Sequence, residues 1–368
     1  MNQDLVLRVL SEIMNWDTDR ASKEFAWLRL MSGIKYDGYQ DYLAGARFVE
    51  SLVDWLQQFS PAQRGTAYEF IRDHLVYIGP AEMQHLVELF YPETVERRLL
   101  ATVADRMSIP TYRVWGDAMA VQAYTTLLRK TLFFALSDGA RIDIFRRANV
   151  RSISNEQIVL ATEINRRKWD DLLNKLRSGL DDDTAQFAFI FLIDDFVGTG
   201  KTFLRKKEKD DAWTGKLMRF WEVAHEVLDS HCERDFVLAV HHYIATHSAS
   251  LAVGGLYEAA RQEMSAIQWF QRVEFSFGTV LPENLPIDHR RFESFMHLVE
   301  KYYDPGIETE HTRVGGDDVR LGFGGCALPL VLDHNTPNNS IALLWAESDG
   351  GDRHHAMRPL FRRRQRHS

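Results

Sequence analysis

The chemistry of this chain concentrates in Asp194, Asp195, Thr199 and Thr202, which follow an apolar run and are interleaved with Gly198, Gly200 and Lys201. Two carboxylates at the carboxyl end of a strand either accept hydrogen bonds from adjacent sugar hydroxyls or hold a hydrated magnesium ion. Small residues in the next turn let backbone amides approach a phosphate, a helix start adds favourable partial charge, and the threonines add hydroxyl donors. The combination suits a ribose carrying a 5'-phosphate. Gly200-Lys201-Thr202 also ends like the nucleoside triphosphatase loop Gly-x-x-x-x-Gly-Lys-Thr. That pattern requires glycine at position 195, where Asp195 would repel a triphosphate, so the sugar-phosphate reading ranks above it.

Positioning such a loop takes a strand before it and helices around it. Short runs rich in apolar residues, read as strands buried on both faces, occur at Leu132–Leu136, Ile158–Ala161, Phe187–Ile193, Phe236–Val240, Val273–Phe277 and Ile341–Trp345. Helical stretches lie between them, notably Gly215–His231 with Leu217, Phe220, Trp221, Ala224, Val227 and Leu228 as one stripe. Strand alternating with helix predicts an α/β protein with a mostly parallel sheet, which binds ligands at its strands' carboxyl ends. From residue 3 to about 130 the spacing is helical throughout, with Ser60-Pro61 opening one helix and Gly79-Pro80 ending it and starting another.

Composition bounds the rest. At about 150 residues per domain, 368 residues predict two domains or one elaborated domain. A net charge of −8 argues against a wholly basic nucleic-acid binder. Cys232 and Cys326 form no metal-ligand spacing, and this usage fits a reducing cytoplasm. No basic leader precedes an apolar core, and no apolar stretch nears the ~18 residues of a membrane span, so no membrane association is expected. Arg205–Asp211 reads as a solvated charged loop. Arg358, Arg362, Arg363, Arg364 and Arg366 make the tail basic, either as a solubilising end or as a grip on nucleic acid. His241 and His242, adjacent on a strand, point to opposite faces and are read as structural, whereas His247 lies past that strand's end.

The stretch Phe187–Thr202 resembles the 5-phosphoribosyl-1-pyrophosphate signature of type I phosphoribosyltransferases, a hydrophobic strand followed by Asp-Asp-x-x-x-Thr-Gly-x-Thr. The resemblance implies that Asp194 and Asp195 hold the ribose 2' and 3' hydroxyls and that Gly198, Thr199, Gly200, Lys201 and Thr202 cradle the 5'-phosphate. It also implies a pyrophosphate loop at Ser137, Asp138 and Gly139, with Arg141 facing the leaving group; a plain turn is the other reading. Asp138 is a further acid for magnesium there. Arg146–Asn155 corresponds to a flexible lid. Three segments, Ser137–Arg146, Phe277–Pro282 and His334–Asn339, narrow the resemblance to a phosphoribosyltransferase-like family of bacterial conflict systems, the PRTase-CE type. His334–Asn339 reads either as a base-reading segment or as an Asx-type turn.

The expected architecture is a helical N-terminal region (1–112), a phosphoribosyltransferase-like domain (113–348) and a basic, flexible tail (349–368). The expected ligand is a ribosyl pyrophosphate or nucleotide with Mg2+, held through Asp194 and Asp195. The resemblance implies an antiphage-defence effector, catalytic through Asp194, Asp195 and Arg141, that transfers or removes a ribosyl group and has a protein partner from a defence operon. The alternative is a non-catalytic module that senses a nucleotide or scaffolds a defence complex, contacting nucleic acid through its arginine tail.

Overall fold

The computed structural model describes the chain except residues 1–2, 41–47, 162–163, 208–210, 265–269, 271, 310–315, 317, 351–354 and 364–368. It divides into two compact units, Met1–Met83 with Glu283–Ser368, and Gln84–Pro282.

The first unit begins with α1 (Gln3–Met14), α2 (Thr18–Ile34), α3 (Phe48–Gln57) and α4 (Arg64–His74). Asp17 caps α2 by accepting from the Arg20 amide at 2.8 Å. The expected helical N-terminus is present, interrupted by β1 (Val76–Ile78), three residues that are too few to register as a period. This strand pairs in parallel with β9 (Leu330–Leu332). The unit also holds α12 (His289–Lys301) and α13 (Ala342–Trp345). Ile341–Trp345 is therefore a helical turn, closed by the Ala346 amide donating to the Ala342 carbonyl at 2.8 Å, and not a strand. A short apolar run fits either state, and here the buried site selects the turn.

The segment expected as a flexible tail packs in its described part. Met357, Leu360 and Phe361 are buried, and the Leu360 and Phe361 amides donate to the Leu344 carbonyl. The Phe361 ring stacks on Phe48 at 5.6 Å. The arginines around it are engaged within the chain: Arg362 with Glu347, Arg358 with Asp54, and Arg363 over the Trp345 ring. Arg364 and Arg366 lie outside the described residues.

The second unit carries the sheet. After α5 (Pro80–Leu89), a π-helical stretch at Phe90–Glu96 leads into α6 (Arg97–Met107), followed by α7 (Ala118–Arg129). Pro92 lies in the π stretch, where its missing amide removes a regular helical bond. Five strands follow: β2 (Thr131–Ala135), β3 (Ile158–Leu160), β4 (Phe187–Val197), β7 (Cys232–Ala245) and β8 (Val273–Val280). All neighbours are parallel, in the order β3-β2-β4-β7-β8. Strands buried on both faces need helices on both sides, supplied by α8 (Ile142–Ala148), α9 (Arg166–Leu180), α10 (Lys216–His231) and α11 (His247–Glu263) besides the π-helical stretch, α6 and α7. Phe134, Trp169, Leu192, Phe203, Phe220 and Val240 share one core, while Phe90, Phe133, Phe145 and Phe191 pack ring to ring. No described helix is long and apolar enough to cross a membrane.

On β8, Arg98 grips Glu274 with both arms, Nε at 2.6 Å and Nη2 at 2.8 Å, and Arg272 adds a contact at 2.7 Å. Burial would raise the Glu274 carboxyl, but the two arginines hold it below the usual range. Glu274→Gln is expected to lower stability by about 1–2 kcal/mol, because two charge-assisted bonds in a half-buried site become neutral ones. An unchanged thermal midpoint would contradict this.

Candidate functional site

The sheet has one point where strand order reverses. β3 lies on one side of β2 and β4 on the other, and a parallel α/β sheet opens a crevice at such a point beyond its carboxyl ends. The two loops expected to bind a ligand after their strands, those following β2 and β4, meet at this point. The Leu136 amide donates to the Ile193 carbonyl at 2.8 Å, the last rung between β2 and β4. Beyond it, the Ser137 hydroxyl donates to Asp194 Oδ1 at 2.5 Å.

β4 does not stop at the acids. Its pairing with β7 runs on through Asp194↔His242, Phe196↔Ile244 and Val197↔Ala245. Consecutive residues of a strand face opposite ways, so Asp194 and Asp195 diverge. Asp194 is 1% exposed, and Asp195 is partly buried. Asp194 Oδ2 pairs with the ammonium of Lys216, the first residue of α10. Burial, helped by the Asp195 carboxylate, raises the Asp194 carboxyl against the opposing pull of Lys216 and Ser137. His242 lies in register with Asp194, is fully buried, and leaves Nδ1 without a partner. Burial and the Lys216 charge push its imidazole down to about 3, so it is neutral.

Lys216 was not anticipated from the sequence. The available signal was electrostatic, since a lysine in a helix's first turn opposes the helix dipole unless an acid meets it. Its placement depends on Gly215, at φ 129°, where a Cβ would lie 2.3 Å from the Phe203 carbonyl oxygen. The first amides of α10 are already engaged, Lys216 with the Thr202 carbonyl at 3.1 Å and Leu217 with the Phe203 carbonyl at 3.1 Å. The small hairpin of β5 (Arg205–Lys206) and β6 (Trp213–Thr214) separates the loop from this helix.

Between β4 and β5 the chain makes a tight turn. The Phe203 and Leu204 amides donate to the Gly200 carbonyl at 3.0 and 2.9 Å, and the Lys201 amide donates to Thr199 Oγ1 at 3.2 Å. Gly200 has φ 79° and sits against Val253 and Leu256 of α11. Thr246 fastens the other end, its hydroxyl donating to the Gly198 carbonyl at 2.6 Å. Phe203 and Leu204 anchor the turn in the core, so Lys201 and Thr202 are exposed at its tip and Thr199 is half-buried.

Across the crevice, Asp138–Ala140 form a 3-10 turn and Arg141 takes φ 49°, a left-handed conformation for a residue with a side chain. The Ala140 amide donates to the Ser137 carbonyl at 3.1 Å within this turn. Asp138 is exposed, and Gly139 and Arg141 are partly so. The expected lid, Arg146–Asn155, begins in the last turn of α8 and runs on through turns to the start of a 3-10 turn at Asn155–Gln157. Arg146 of that helix donates to the Ile158 carbonyl at 3.2 Å, and Ile153 is buried beyond it. His334–Asn339 belongs to the other unit, where Asn339 donates to the Phe323 carbonyl at 2.9 Å and Thr336 is fully buried. A recess of about 340 Å3 lies elsewhere, lined by Arg106, Leu127 and Lys130 where β2 begins.

The residues do not fit Asp194 as a magnesium ligand, because one of its oxygens holds a hydroxyl donor and the other an ammonium. Among the described residues, no group of three or more His, Cys, Asp and Glu is placed to hold a metal. The sequence model of the family described as PRTase-CE matches residues 52–363. Neither the curated proteins nor the solved structures provide a match.

Proposed function

Because the chain belongs to the PRTase-CE family, we propose that this phosphoribosyltransferase-like protein binds a 5-phosphorylated ribose, as ribosyl pyrophosphate or a nucleotide, between the loops that follow β2 and β4. The observation that supports this most is the Ser137–Asp194 hydrogen bond, which joins the two segments carrying the sugar-phosphate resemblance at the sheet's switch point. In this reading Asp195 meets the ribose hydroxyls, and Thr199, Lys201 and Thr202 meet the 5'-phosphate at the tip of the turn. Arg141 faces the pyrophosphate or equivalent leaving group. Asp194 is the fixed base of the site and touches no ligand.

The reaction suited to these groups is displacement at C1' with inversion. The bond to the pyrophosphate oxygen breaks with its electron pair, a bond to a base nitrogen forms, and the base's proton leaves to water. Positioning and charge stabilisation by Arg141 and Lys201 carry the catalysis. The family resemblance further supports an effector role in antiphage defence, alongside a protein partner.

Titration calorimetry with ribosyl pyrophosphate tests the site. Wild type is expected to bind, and Asp195→Asn to weaken binding by about tenfold or more, since an anionic acceptor of two hydroxyl bonds is lost. A wild-type chain that binds neither the pyrophosphate nor a nucleotide removes the reading. A second reading, a non-catalytic sensor, is favoured by the closure of Asp194 behind Lys216. Pyrophosphate release with a panel of bases separates the two, as only the enzyme turns over.

A further inference from the structure

We propose that Lys216 is the resident cation of this site, a positioning residue that neutralises Asp194 and keeps divalent metal off that carboxylate. Two acids in succession at a strand's end ordinarily invite a metal ion. Here the position beside Asp194 is filled from within the chain.

Three observations carry this. The Asp194 side chain is 2% exposed and that of Lys216 13%, so the pair is shut away from bulk water. Ser137 holds one carboxylate oxygen while Lys216 holds the other, so no oxygen is left facing away from a donor. The backbone is shaped to deliver the lysine: the antiparallel pairing of β5 with β6 brings the chain back to the turn, Gly215 passes close to the Phe203 carbonyl, and the Lys216 amide donates to the Thr202 carbonyl. The lysine therefore sits at the positive end of a helix dipole, where only a close acid makes a cation favourable. A divalent ion within about 4 Å of that ammonium would meet strong repulsion in a medium of low permittivity. The pair also aims the site, since it fixes the strand end from which Asp195 projects.

The inference deepens the sugar-phosphate reading by assigning that site its charge balance. Its test uses manganese alone, so either idea can fail without the other. Manganese binding is followed by the loss of the free-ion electron paramagnetic resonance signal. Wild type and Asp194→Asn are expected to bind manganese alike. Lys216→Met, confirmed as folded by its near-ultraviolet circular dichroism, is expected to gain one site that Lys216→Met with Asp194→Asn loses, while Lys216→Arg gains none. Loss of a wild-type site in Asp194→Asn, or no gained site in folded Lys216→Met, overturns the proposal. An anomalous difference map from a manganese-soaked wild-type crystal decides the matter without any substitution. A peak coordinated by Asp194 overturns the proposal, and Asp194 without one beside an intact Lys216 contact supports it.

Discussion

Methionine in place of Lys216 is expected to lower the free energy of unfolding by about 3–5 kcal/mol, the range for stranding one member of a buried ion pair. The magnitude follows from where the pair lies. Asp194 is almost wholly inaccessible, its neighbours in register are apolar or neutral, and Ser137 alone would remain to solvate it. Adding Asp194→Asn to Lys216→Met is expected to restore most of the loss. The amide oxygen still accepts from Ser137, and no net charge stays buried. Urea unfolding of the four chains measures this as a coupling energy. If the double substitution costs the sum of the single ones, the two side chains act independently and the site lacks the ion pair described above. The methylene stem of methionine keeps the packing, so a large effect reports the charge and not a cavity.

Acid is expected to destabilise the chain through His241, which burial and the neighbouring His242 hold down at about 3. An ordinary histidine titrates near 6.5, so the unfolded chain takes up a proton that the folded chain refuses. The folded value is depressed, hence the stability contribution is complete above about pH 6.5 and is lost as pH falls toward 3. Between about pH 7.5 and pH 5 this amounts to about 2 kcal/mol for that one group. His241→Phe should remove that share of the acid loss and leave the comparable share of His242, which is also held down at about 3. The ring lies 4.3 Å from that of Phe90, its Nε2 has no partner to forfeit, and Ser276, which bonds Nδ1 at 2.9 Å, retains the Val240 carbonyl at 3.4 Å. Urea midpoints of wild type and His241→Phe at the two pH values check this. An equal acid loss in both chains would place the sensitivity elsewhere.

Four strands of the central sheet were legible because each contains an unbroken apolar run, the pattern of a strand covered on both faces, whereas the edge strand β8 alternates, with Glu274 and Ser276 breaking the run. Ile341–Trp345 misled for the same reason, since a buried helical turn is as apolar as a buried strand. Val76–Ile78 and Leu330–Leu332 are too short to show a period, and each is a strand only because the other is beside it. The docking of Phe361 could not be read from a segment dominated by arginine, because its partners are Phe48, Tyr39 and Leu344, far off along the chain. At the site, the divergence of the acids was within reach. The alternation that separated His241 from His242 also separates Asp194 from Asp195, once the strand is allowed to continue to Val197.

Local order along the chain thus determined the sheet strands, the helix of Lys216–His231 and the position of the acid-rich turn at a strand's carboxyl end, since periodicity and turn chemistry act between near neighbours. Tertiary structure alone decided that Ser137 and Lys216 converge on Asp194, leaving Asp195 as the more accessible acid. The reason is physical: a buried charge takes whichever counter-charge the packed backbone brings within reach, and the residue that reaches Asp194 starts a helix 22 positions away.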